Sequence, residues 1–430
     1  MIRRASCQSD NTFSVATDTA IVRRNAQNHD ARYGKDKFHL SIWYDEPANL
    51  MSDIVEHGGP SPLWLCPGKG NAVTQKGNVM SKSLIQLLNT TYPLIQAPMA
   101  GVSTPALAAA VSEAGALGSL GLASASLDQA ASMIREVQSL TRKPVNVNFF
   151  CHQPTVADPV ANQAWLDHLR PMFDEFGATP PSELRDIYRP FPGYAQMLEL
   201  VLETRPAVVS FHFGLPSQEY IDALKNAGIV LMATATTPAE ARQIETAGID
   251  VLVAQGYEAG GHRGVFDPEN GDAQFGTFAL VHMLAKQSSL PVVAAGGIMD
   301  GDAIKAALAL GASGVQCGTA FVLCPESAAN DAYRQALQSE RAYDTRVTIT
   351  LSGRAARGLR NRLYIDEPSA ARPATPGYSM TYDAAKALNA VASARGNYDF
   401  AAQWAGQAAA LARPMSAAQM VQTLADEAGW

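Results

Sequence analysis

Three histidines in this 430-residue sequence stand among aromatic or glycine residues, where a catalytic cavity could use them. His212 lies between two phenylalanines, His152 follows Asn148-Phe-Phe-Cys, and His262 lies in Gly260-Gly-His-Arg-Gly264. A neutral imidazole in a dry pocket can accept a proton near pH 7, so each is a candidate base. A single histidine in an apolar stretch more often belongs to the core. The choice therefore depends on the elements around each one.

Two glycine-containing turns could bind a phosphate group. Gly296-Gly297 and Gly318-Thr319 each follow a short apolar run, and Thr319 adds a hydroxyl. Glycine leaves backbone N–H groups accessible, and the N-terminus of a following helix favours an anion. Because both turns share the feature, we expect phosphate binding. Tight turns without a ligand are the structural alternative.

Cysteine and metal chemistry are not expected at these positions. The five cysteines form no C-x-x-C pair, which argues against a disulfide framework or a zinc site and favours a reducing cytoplasm. Cys151 and Cys317 fall near the candidate residues but have no activating partner in sequence, so we expect inert thiols. The loops contain no pattern with metal-ligand spacing, so no metal is expected.

Eight short runs, apolar throughout, indicate parallel strands that are buried on both faces. Ala-rich helical patterns separate most of them, and one has Thr104 as N-cap, Pro105 at the first position and Gly115 after its end. The sequence therefore predicts an α/β fold of the (β/α)8 TIM-barrel type, with a doubly wound open sheet as the alternative. The predicted strands are Leu94–Ala97, Leu117–Leu120, Val145–Phe149, Ala207–Phe211, Ile229–Ala233, Val251–Ala254, Val292–Ala295 and Gly314–Gln316.

Reactive groups of such a barrel lie at the C-terminal ends of its strands. His212 falls at the end of the fourth predicted strand and is therefore the preferred base. His152 lies beyond the third strand and is assigned to a covering segment, and His262 to binding or loop shaping. The two glycine turns follow strands seven and eight, where barrels commonly bind phosphate.

The remaining segments define the predicted domain organisation. Residues 1–80 mix polar residues with Pro/Gly clusters and are expected to be disordered or not native, with Met80 as a candidate start. Residues 81–339 form the barrel, and residues 152–205 are expected to add one helix and an irregular cover over its mouth. Residues 340–430 are expected to form a smaller, mainly helical domain that covers the active site.

Charge and hydropathy exclude several classes of partner. The formal net charge of −7 disfavours nucleic acid and anionic membranes, because the phosphate interaction would be repulsive. No uninterrupted apolar run reaches the length of a transmembrane helix. We expect a cytoplasmic protein, either a monomer or a homodimer, that acts on a small molecule.

Four segments resemble the signature motifs of class I nitronate monooxygenases, formerly called 2-nitropropane dioxygenases. The resemblance extends from about residue 82 to the C-terminus and includes Leu351-Ser-Gly-Arg and Trp404-Ala-Gly-Gln. Four motifs in order are more specific than any one of them. The segments are Tyr92-Pro-Leu-Ile-Gln-Ala-Pro-Met-Ala-Gly-Val-Ser-Thr, Val147-Asn-Phe-Phe-Cys-His, Val209-Ser-Phe-His-Phe-Gly and Gln255-Gly-Tyr-Glu-Ala-Gly-Gly-His-Arg-Gly.

The resemblance implies FMN held without a covalent bond at the barrel mouth, and it gives His212 the place of the family's catalytic histidine. By position in the motifs, three groups of residues would contact FMN. They are Met99, Ala100 and Gly101 along the isoalloxazine; Asn148, Gln255 and Gly260 beside the ring and ribityl chain; and Gly297, Gln316, Cys317, Gly318 and Thr319 at the phosphate.

The reaction that the resemblance implies is oxidation of an alkyl nitronate by O2 to a carbonyl compound and nitrite. Propionate 3-nitronate, a toxic metabolite, is the implied substrate, and detoxification is the implied role. His212 would remove the α-proton of a neutral nitroalkane but would mainly orient a preformed nitronate. The flavin carries the electrons, while the protein supplies orientation and charge.

Three alternatives stay open. An FMN-dependent NAD(P)H:quinone reductase or enoyl reductase shares the Gln-Ala-Pro-Met opening and the phosphate turns, but lacks the Asn-Phe-Phe-Cys-His and Ser-Phe-His-Phe-Gly pair. A flavin-free barrel could use the same turns for a phosphorylated metabolite, as an isomerase or lyase. A noncatalytic flavin-binding protein is the third.

Overall fold

The computed structural model describes residues 83–364 and 372–430, together with two short paired strands, Ala16–Thr17 and Ala20–Ile21. The chain divides into two compact units, residues 1–76 and 77–430. Apart from the two short strands, the predicted extension over residues 1–80, with Met80 as its candidate end, lies outside the described residues. It stays a prediction.

A closed barrel of eight parallel strands forms the centre of the second unit. The last strand of the barrel, Gly314–Cys317, pairs with the first, Leu94–Gln96, and a parallel bridge between Ile95 and Leu117 joins the first strand to the second. The predicted (β/α)8 barrel is confirmed, and each predicted run overlaps an observed strand. The strands are β1 (Leu94–Gln96), β2 (Gly118–Gly121), β3 (Val145–Phe150), β4 (Val208–His212), β5 (Val230–Ala235), β6 (Val251–Gln255), β7 (Val292–Ala295) and β8 (Gly314–Cys317).

Helices surround the barrel because each has one apolar face that the sheet can bury. The described helices are α1 (Leu84–Leu88), α2 (Pro105–Glu113), α3 (Leu127–Leu140), α4 (Pro159–Asp174), α5 (Ala195–Thr204), α6 (Gln218–Asn226), α7 (Pro238–Thr246), α8 (Thr277–Gln287), α9 (Gly301–Ala309), α10 (Asp331–Leu337), α11 (Met380–Ser393) and α12 (Ala417–Ala428). The ring around the strands consists of α2, α3, α5, α6, α7, α8, α9 and α12, and α12 closes it by packing on α9 and α2.

The predicted start of α2 is confirmed. The Thr104 hydroxyl accepts a hydrogen bond from the Leu107 N–H at 3.0 Å, and Pro105 occupies the first helical position. This satisfies one of the N–H groups that a helix start leaves unpaired. Gly115 follows the end of the helix in a left-handed conformation, as the sequence predicts.

The segment between β3 and β4 contains two helices instead of the single helix expected for residues 152–205. α5 packs against α3 and α6 as the barrel's crossover helix, because it buries Met197, Leu200 and Val201 on one face. α4 packs against α11 instead, and Trp165 of α4 is fully buried in the second core that they form. The barrel therefore supports a separate layer beside its mouth.

The region 340–430 contains strands as well as helices. β9 (Thr345–Thr348) and β10 (Ala356–Leu359) are antiparallel, and β10 also pairs with the two-residue strand Gly261–His262 that follows β6. α12 lies on the outside of the barrel, away from the expected cover, because its apolar face packs on α2 and α9. Among the described residues, no helix is long and apolar enough to cross a membrane.

The contact between α2 and β2 allows a direct test of the barrel packing. A Cβ atom on Gly118 would lie 1.9 Å from the Ala108 carbonyl oxygen, so Gly118→Ala must displace the α2 backbone. We expect a loss of about 3 kcal/mol in the free energy of unfolding. Gly228→Ala is the comparison variant, since open space surrounds it and only its positive φ opposes alanine, at about 1 kcal/mol. Urea unfolding of both variants measures the difference. Equal stabilities would contradict this packing.

Candidate active site

A cavity of about 450 Å³ opens at the C-terminal ends of the barrel strands. Of the twelve residues predicted for the site, Cys317 is the one that does not line it. Its side chain is buried in the main hydrophobic core, where burial and the charge of Asp300 raise the pKa of the thiol to about 12. The predicted residues that line the cavity are Met99, Ala100, Gly101, Asn148, His212, Gln255, Gly260, Gly297, Gln316, Gly318 and Thr319.

His212 is the last residue of β4, and its ring is held by the loop after β6. The His212 Nε2 atom lies 3.1 Å from the backbone carbonyl oxygen of His262. A carbonyl oxygen only accepts, so the Nε2 atom carries the proton and the Nδ1 atom keeps the lone pair of the neutral ring. Gly264 covers the same ring, since a Cβ atom there would lie 2.9 Å from the His212 Cε1 atom.

Gln255, the last residue of β6, holds the same loop. Its Nε2 atom donates to the His262 carbonyl at 3.0 Å, and its Oε1 atom accepts from the Gly264 N–H at 2.8 Å. Arg263 adds a hydrogen bond to the Oε1 atom at 3.1 Å and pairs with Asp272 at 2.7 Å. The side chain of Gln255 is thus committed mainly to the loop, although it lines the cavity.

His262 lies in the same cavity, and its ring is fixed from the opposite side by the hairpin between β9 and β10. The His262 Nε2 atom lies 2.9 Å from the hydroxyl oxygen of Ser352, which donates its own proton to the Arg354 carbonyl at 3.1 Å. With that proton committed, the Ser352 oxygen accepts from His262, whose Nδ1 atom keeps the lone pair. His262 therefore has a free Nδ1 lone pair that can accept a proton, as His212 has.

His152 is buried beside the cavity and is not one of the residues that line it. Its Nε2 atom lies 3.2 Å from the Tyr188 carbonyl, and its ring packs edge-on against Tyr378 at 4.9 Å. It joins the end of β3 to the segments that cover the mouth. This placement agrees with the covering role expected from the sequence.

Burial keeps all three histidines neutral near pH 7. Desolvation lowers the pKa of His212 to about 4, against a raising effect of its hydrogen bond to His262. The pKa of His262 is lowered to about 3, mainly by desolvation and to a smaller extent by His212, Arg354 and His152. Desolvation lowers the pKa of His152 to about 4. Each imidazole is thus a neutral but weak base.

The two predicted glycine turns meet at one end of the cavity. Gly296 and Gly297 have φ angles of 118° and 73°, which favour glycine, and Gly318 precedes the 3-10 helix Thr319–Phe321. The backbone N–H groups of Gly297 and Gly318 donate to no acceptor among the described residues. Free N–H groups at glycine turns and a helix start form a suitable site for a phosphate group.

Sequence reasoning missed an aromatic wall that belongs to the cover. It lines the cavity, and the Lys386 ammonium lies 5.0 Å and 5.3 Å from the centres of two of its rings. The Trp404-Ala-Gly-Gln motif was the available signal, since the Gly406 N–H donates to the Thr319 hydroxyl at 3.0 Å. The wall consists of Tyr188, Tyr378, Tyr382 and Trp404.

Comparison with known proteins places the chain in a family. The nitronate monooxygenase family model matches residues 81–427. The chain belongs to the nitronate monooxygenase family. A nitronate monooxygenase from Pseudomonas aeruginosa is 58% identical over 348 residues, which cover 81% of this chain and 99% of that protein. One from Paraburkholderia phytofirmans is 55% identical, over 80% of this chain and 94% of that protein.

Solved structures of related proteins have the same fold. Nitroalkane oxidase from Streptomyces ansochromogenes matches with a TM-score of 0.73 and 38% identity, over 81% of this chain and 98% of that chain. FabK from Thermotoga maritima matches with a TM-score of 0.60 and 27% identity, over 81% and 96%. The chain is thus an enzyme of the oxidoreductase class, in a nitronate monooxygenase family that depends on flavin.

A flavin fits the residues that this family member presents. The glycine turns offer free N–H groups at one end of the cavity, and Gly101 has no atom within 4 Å of the position of a Cβ atom. Asn148 also lines the cavity and is fixed by hydrogen bonds from its Nδ2 atom to Ser210 at 2.9 Å and 3.2 Å, which leaves its Oδ1 atom as an acceptor. The cavity thus combines free N–H groups that suit a phosphate with a polar contact and open glycine surface.

The neutral histidines predict how the stability of this family member depends on pH. In the unfolded chain a histidine takes a proton below about pH 6.5, whereas His212 and His152 stay neutral in the folded protein to about pH 4 and His262 to about pH 3. Because these pKa values are lowered by folding, stability is greatest above pH 6.5 and falls as the pH drops towards 4.

We expect each histidine to contribute a loss of about 2 kcal/mol in the free energy of unfolding between pH 7 and pH 5. Urea unfolding at both pH values measures it. His262→Asn removes one of the titrating groups, so its loss should be smaller than that of the unmodified protein by about 2 kcal/mol. An identical loss in both proteins would show that folding does not lower the pKa of His262.

Proposed function

We propose that this enzyme uses FMN and O2 to oxidise an alkyl nitronate to a carbonyl compound and nitrite. The observation that carries the proposal is that one cavity combines neutral imidazoles with glycine turns that have free N–H groups, in a chain 58% identical to a protein named nitronate monooxygenase. Detoxification of such compounds in the cytoplasm is the role we propose. Propionate 3-nitronate is the proposed substrate.

The cofactor would be held by the residues that line the cavity. Gly297, Gly318 and Thr319 would bind its phosphate, Met99 to Gly101 would lie along the isoalloxazine, and Asn148 would accept a hydrogen bond. Bound FMN would supply the electron chemistry of the oxidation. The main role of Gly260 is to let the loop after β6 pack closely on Ala405, since a Cβ atom there would lie 2.6 Å from the backbone of Ala405.

The chain's own residues bind and orient the substrate. We assign the proton-accepting role to the His212 Nδ1 atom, because the Nε2 proton is committed to the His262 carbonyl. A base whose pKa is about 4 is poorly matched to removing a proton at pH 7. A preformed nitronate needs no proton removal, so the low pKa favours the nitronate as substrate and gives His212 mainly an orienting role.

The cover favours an anionic substrate. Lys386 lines the cavity beside the rings of Tyr188 and Tyr382, and its ammonium can attract a carboxylate at the mouth. A substrate that carries both a nitronate and a carboxylate, such as propionate 3-nitronate, matches this charge. The aromatic wall would reduce contact of the bound substrate with water.

An FMN-dependent NAD(P)H:quinone or enoyl reductase is the second candidate function. The similarity to FabK, at 27% identity over most of both chains, favours it. The two functions differ in their electron donor. One assay can therefore separate them.

The deciding experiment is aerobic turnover of propionate 3-nitronate by purified, flavin-loaded protein without a nicotinamide. We expect flavin absorption in the visible spectrum, consumption of O2 and release of nitrite. Rapid oxidation of NADH with no reaction on nitronates would instead establish the reductase. A colourless protein that cannot be loaded with FMN would overturn both assignments.

Substitution of the two cavity histidines tests their roles. His212→Asn should lower kcat/KM at least tenfold for a neutral nitroalkane and less for the matching nitronate, while FMN stays bound. His262→Asn is the paired variant, because His262 has the same free Nδ1 atom. If His262→Asn alone showed the selective loss on nitroalkane, the base would be His262 and the assignment of His212 would be wrong.

Gly318→Ala tests the phosphate end of the proposed flavin site. A Cβ atom there meets only the Ala97 Cβ atom at 3.5 Å and the Met99 Sδ atom at 3.7 Å, so the protein without flavin should keep its stability. The methyl group would occupy space that we assign to FMN, and we expect affinity for FMN to fall about tenfold or more. Flavin fluorescence titration measures the affinity. An unchanged affinity would place the phosphate elsewhere.

A further inference from the structure

Arg354 is a buried cation without a carboxylate partner among the described residues. The side chain lies in the hairpin between β9 and β10, and the residue is 7% exposed. Its Nη2 atom donates to the carbonyls of Val265 and Phe266 at 3.1 Å and 3.3 Å, while its buried Nη1 atom has no partner among the described residues. A buried charge is costly unless it is paired, so its retention calls for an explanation.

The guanidinium lies against one phenylalanine that contacts all three histidines near the cavity. The Arg354 Cζ atom is 4.2 Å from the centre of the Phe213 ring. From the same ring centre, the imidazole centres lie 4.7 Å away for His212, 5.6 Å for His262 and 6.2 Å for His152. The positive charge and the histidine rings therefore all contact the same phenylalanine.

The neighbouring charged groups leave this charge largely uncompensated. Glu240 and Asp267 are the carboxylates that act on Arg354, but neither forms an ion pair with it. Glu240 accepts hydrogen bonds from the Thr236 and Phe266 N–H groups, and Asp267 begins a 3-10 helix. Burial raises the pKa of Tyr378, so its phenol is neutral too.

The other cation near His212 is compensated. Arg263 forms an ion pair with Asp272, with 2.7 Å between its Nε atom and a carboxylate oxygen. Its charge therefore contributes less to the field in the cavity than that of Arg354. His152, His212 and His262 carry no charge near pH 7, so among the described residues Arg354 is the buried cation without an ion pair that acts on both His212 and His262.

We propose that Arg354 determines specificity for charge, because it favours an anionic nitronate over the neutral nitroalkane with the same carbon skeleton. This inference rests on the proposed function. A fixed charge that is already in place stabilises an anion without reorganising the protein. With an effective dielectric constant of about 20, a unit charge roughly 10 Å from the anion should give a preference of about tenfold.

The charge of Arg354 also helps to keep the neighbouring histidines neutral. Arg354 lowers the pKa of His212 and of His262, in addition to the larger effect of burial. A protonated imidazole would place a second positive charge next to the first. The lowered histidine pKa values and the attraction of the anion act together. Because the histidines are neutral, the positive charges that attract the anion are those of Arg354 and of Lys386 at the mouth.

Two substitutions separate charge from structure. Arg354→Met removes the charge, and Arg354→Lys keeps it but loses the planar group that binds two carbonyls. The measurement is the ratio of kcat/KM for a nitronate to kcat/KM for its neutral nitroalkane. Arg354→Met should lower this ratio about tenfold, and Arg354→Lys should keep it within about twofold. A structural defect would lower both constants together and leave the ratio unchanged.

Arg334→Met is the matched control. Arg334 also binds several backbone carbonyls, including those of Leu323 and Ala329, but it does not line the cavity or contact the histidines. The ratio of the two kcat/KM values for Arg334→Met should equal that of the unmodified enzyme.

If Arg354→Met does not fold, Arg354→Gln replaces it, since glutamine keeps a donor for the Val265 carbonyl. A fall in the ratio for Arg354→Lys as well would overturn the proposal.

Nitrogen NMR of histidine-labelled protein gives a second readout that needs no turnover. We expect the pKa values of His212 and His262 to rise in Arg354→Met and to stay low in Arg354→Lys. If the unmodified enzyme oxidised neither substrate, the proposed function would fail, while the histidine titrations would still test the field of Arg354. Unchanged titrations in Arg354→Met would reject the role of the charge.

Discussion

The backbone carbonyl of His262 accepts hydrogen bonds from two side chains, His212 at the end of β4 and Gln255 at the end of β6. This junction fixes the proton of His212 on its Nε2 atom and holds the loop after β6 against the barrel. The held loop brings Gly261–His262 beside β10, and that pairing brings Ser352 within 2.9 Å of the His262 ring. If the carbonyl turned away, both imidazoles and the strand pairing would lose their support together.

The electrostatics of the site follow from this arrangement. The loop and the hairpin bury both imidazoles, and burial costs the charged form more than the neutral one. Arg354 enters with the same hairpin, and its guanidinium binds two loop carbonyls but no carboxylate among the described residues. The site therefore combines neutral histidines with a buried positive charge that has no ion pair there. Such a site has little ability to remove a proton but can stabilise a negative charge that is already present.

Sequence pattern predicted the elements whose signals are local. Continuous apolar runs indicated the strands, and the rule on strand ends placed His212, Gly297 and Gly318 at one mouth, where the structure has them. The pairing of Gly261–His262 with β10 joins residues far apart in the chain, and two residues show no periodicity. The aromatic wall was missed for the same reason, since its tyrosines come from separate covering segments. Cys317 was predicted as a cofactor contact because it lies between Gln316 and Gly318. Successive residues of a strand face opposite sides, so Cys317 faces the core while Gln316 faces the cavity.

The weak basicity of the histidines and the buried cation lead to the same conclusion about the substrate. An enzyme that deprotonates a neutral nitroalkane would gain from a base whose pKa is near the working pH, which requires a more polar setting or a nearby carboxylate. Here burial and Arg354 both act in the opposite direction on His212 and His262. The same features reduce the cost of binding a nitronate, because its charge meets a preorganised positive field instead of water. The barrel mouth is therefore better suited to an acid that has already lost its proton in solution.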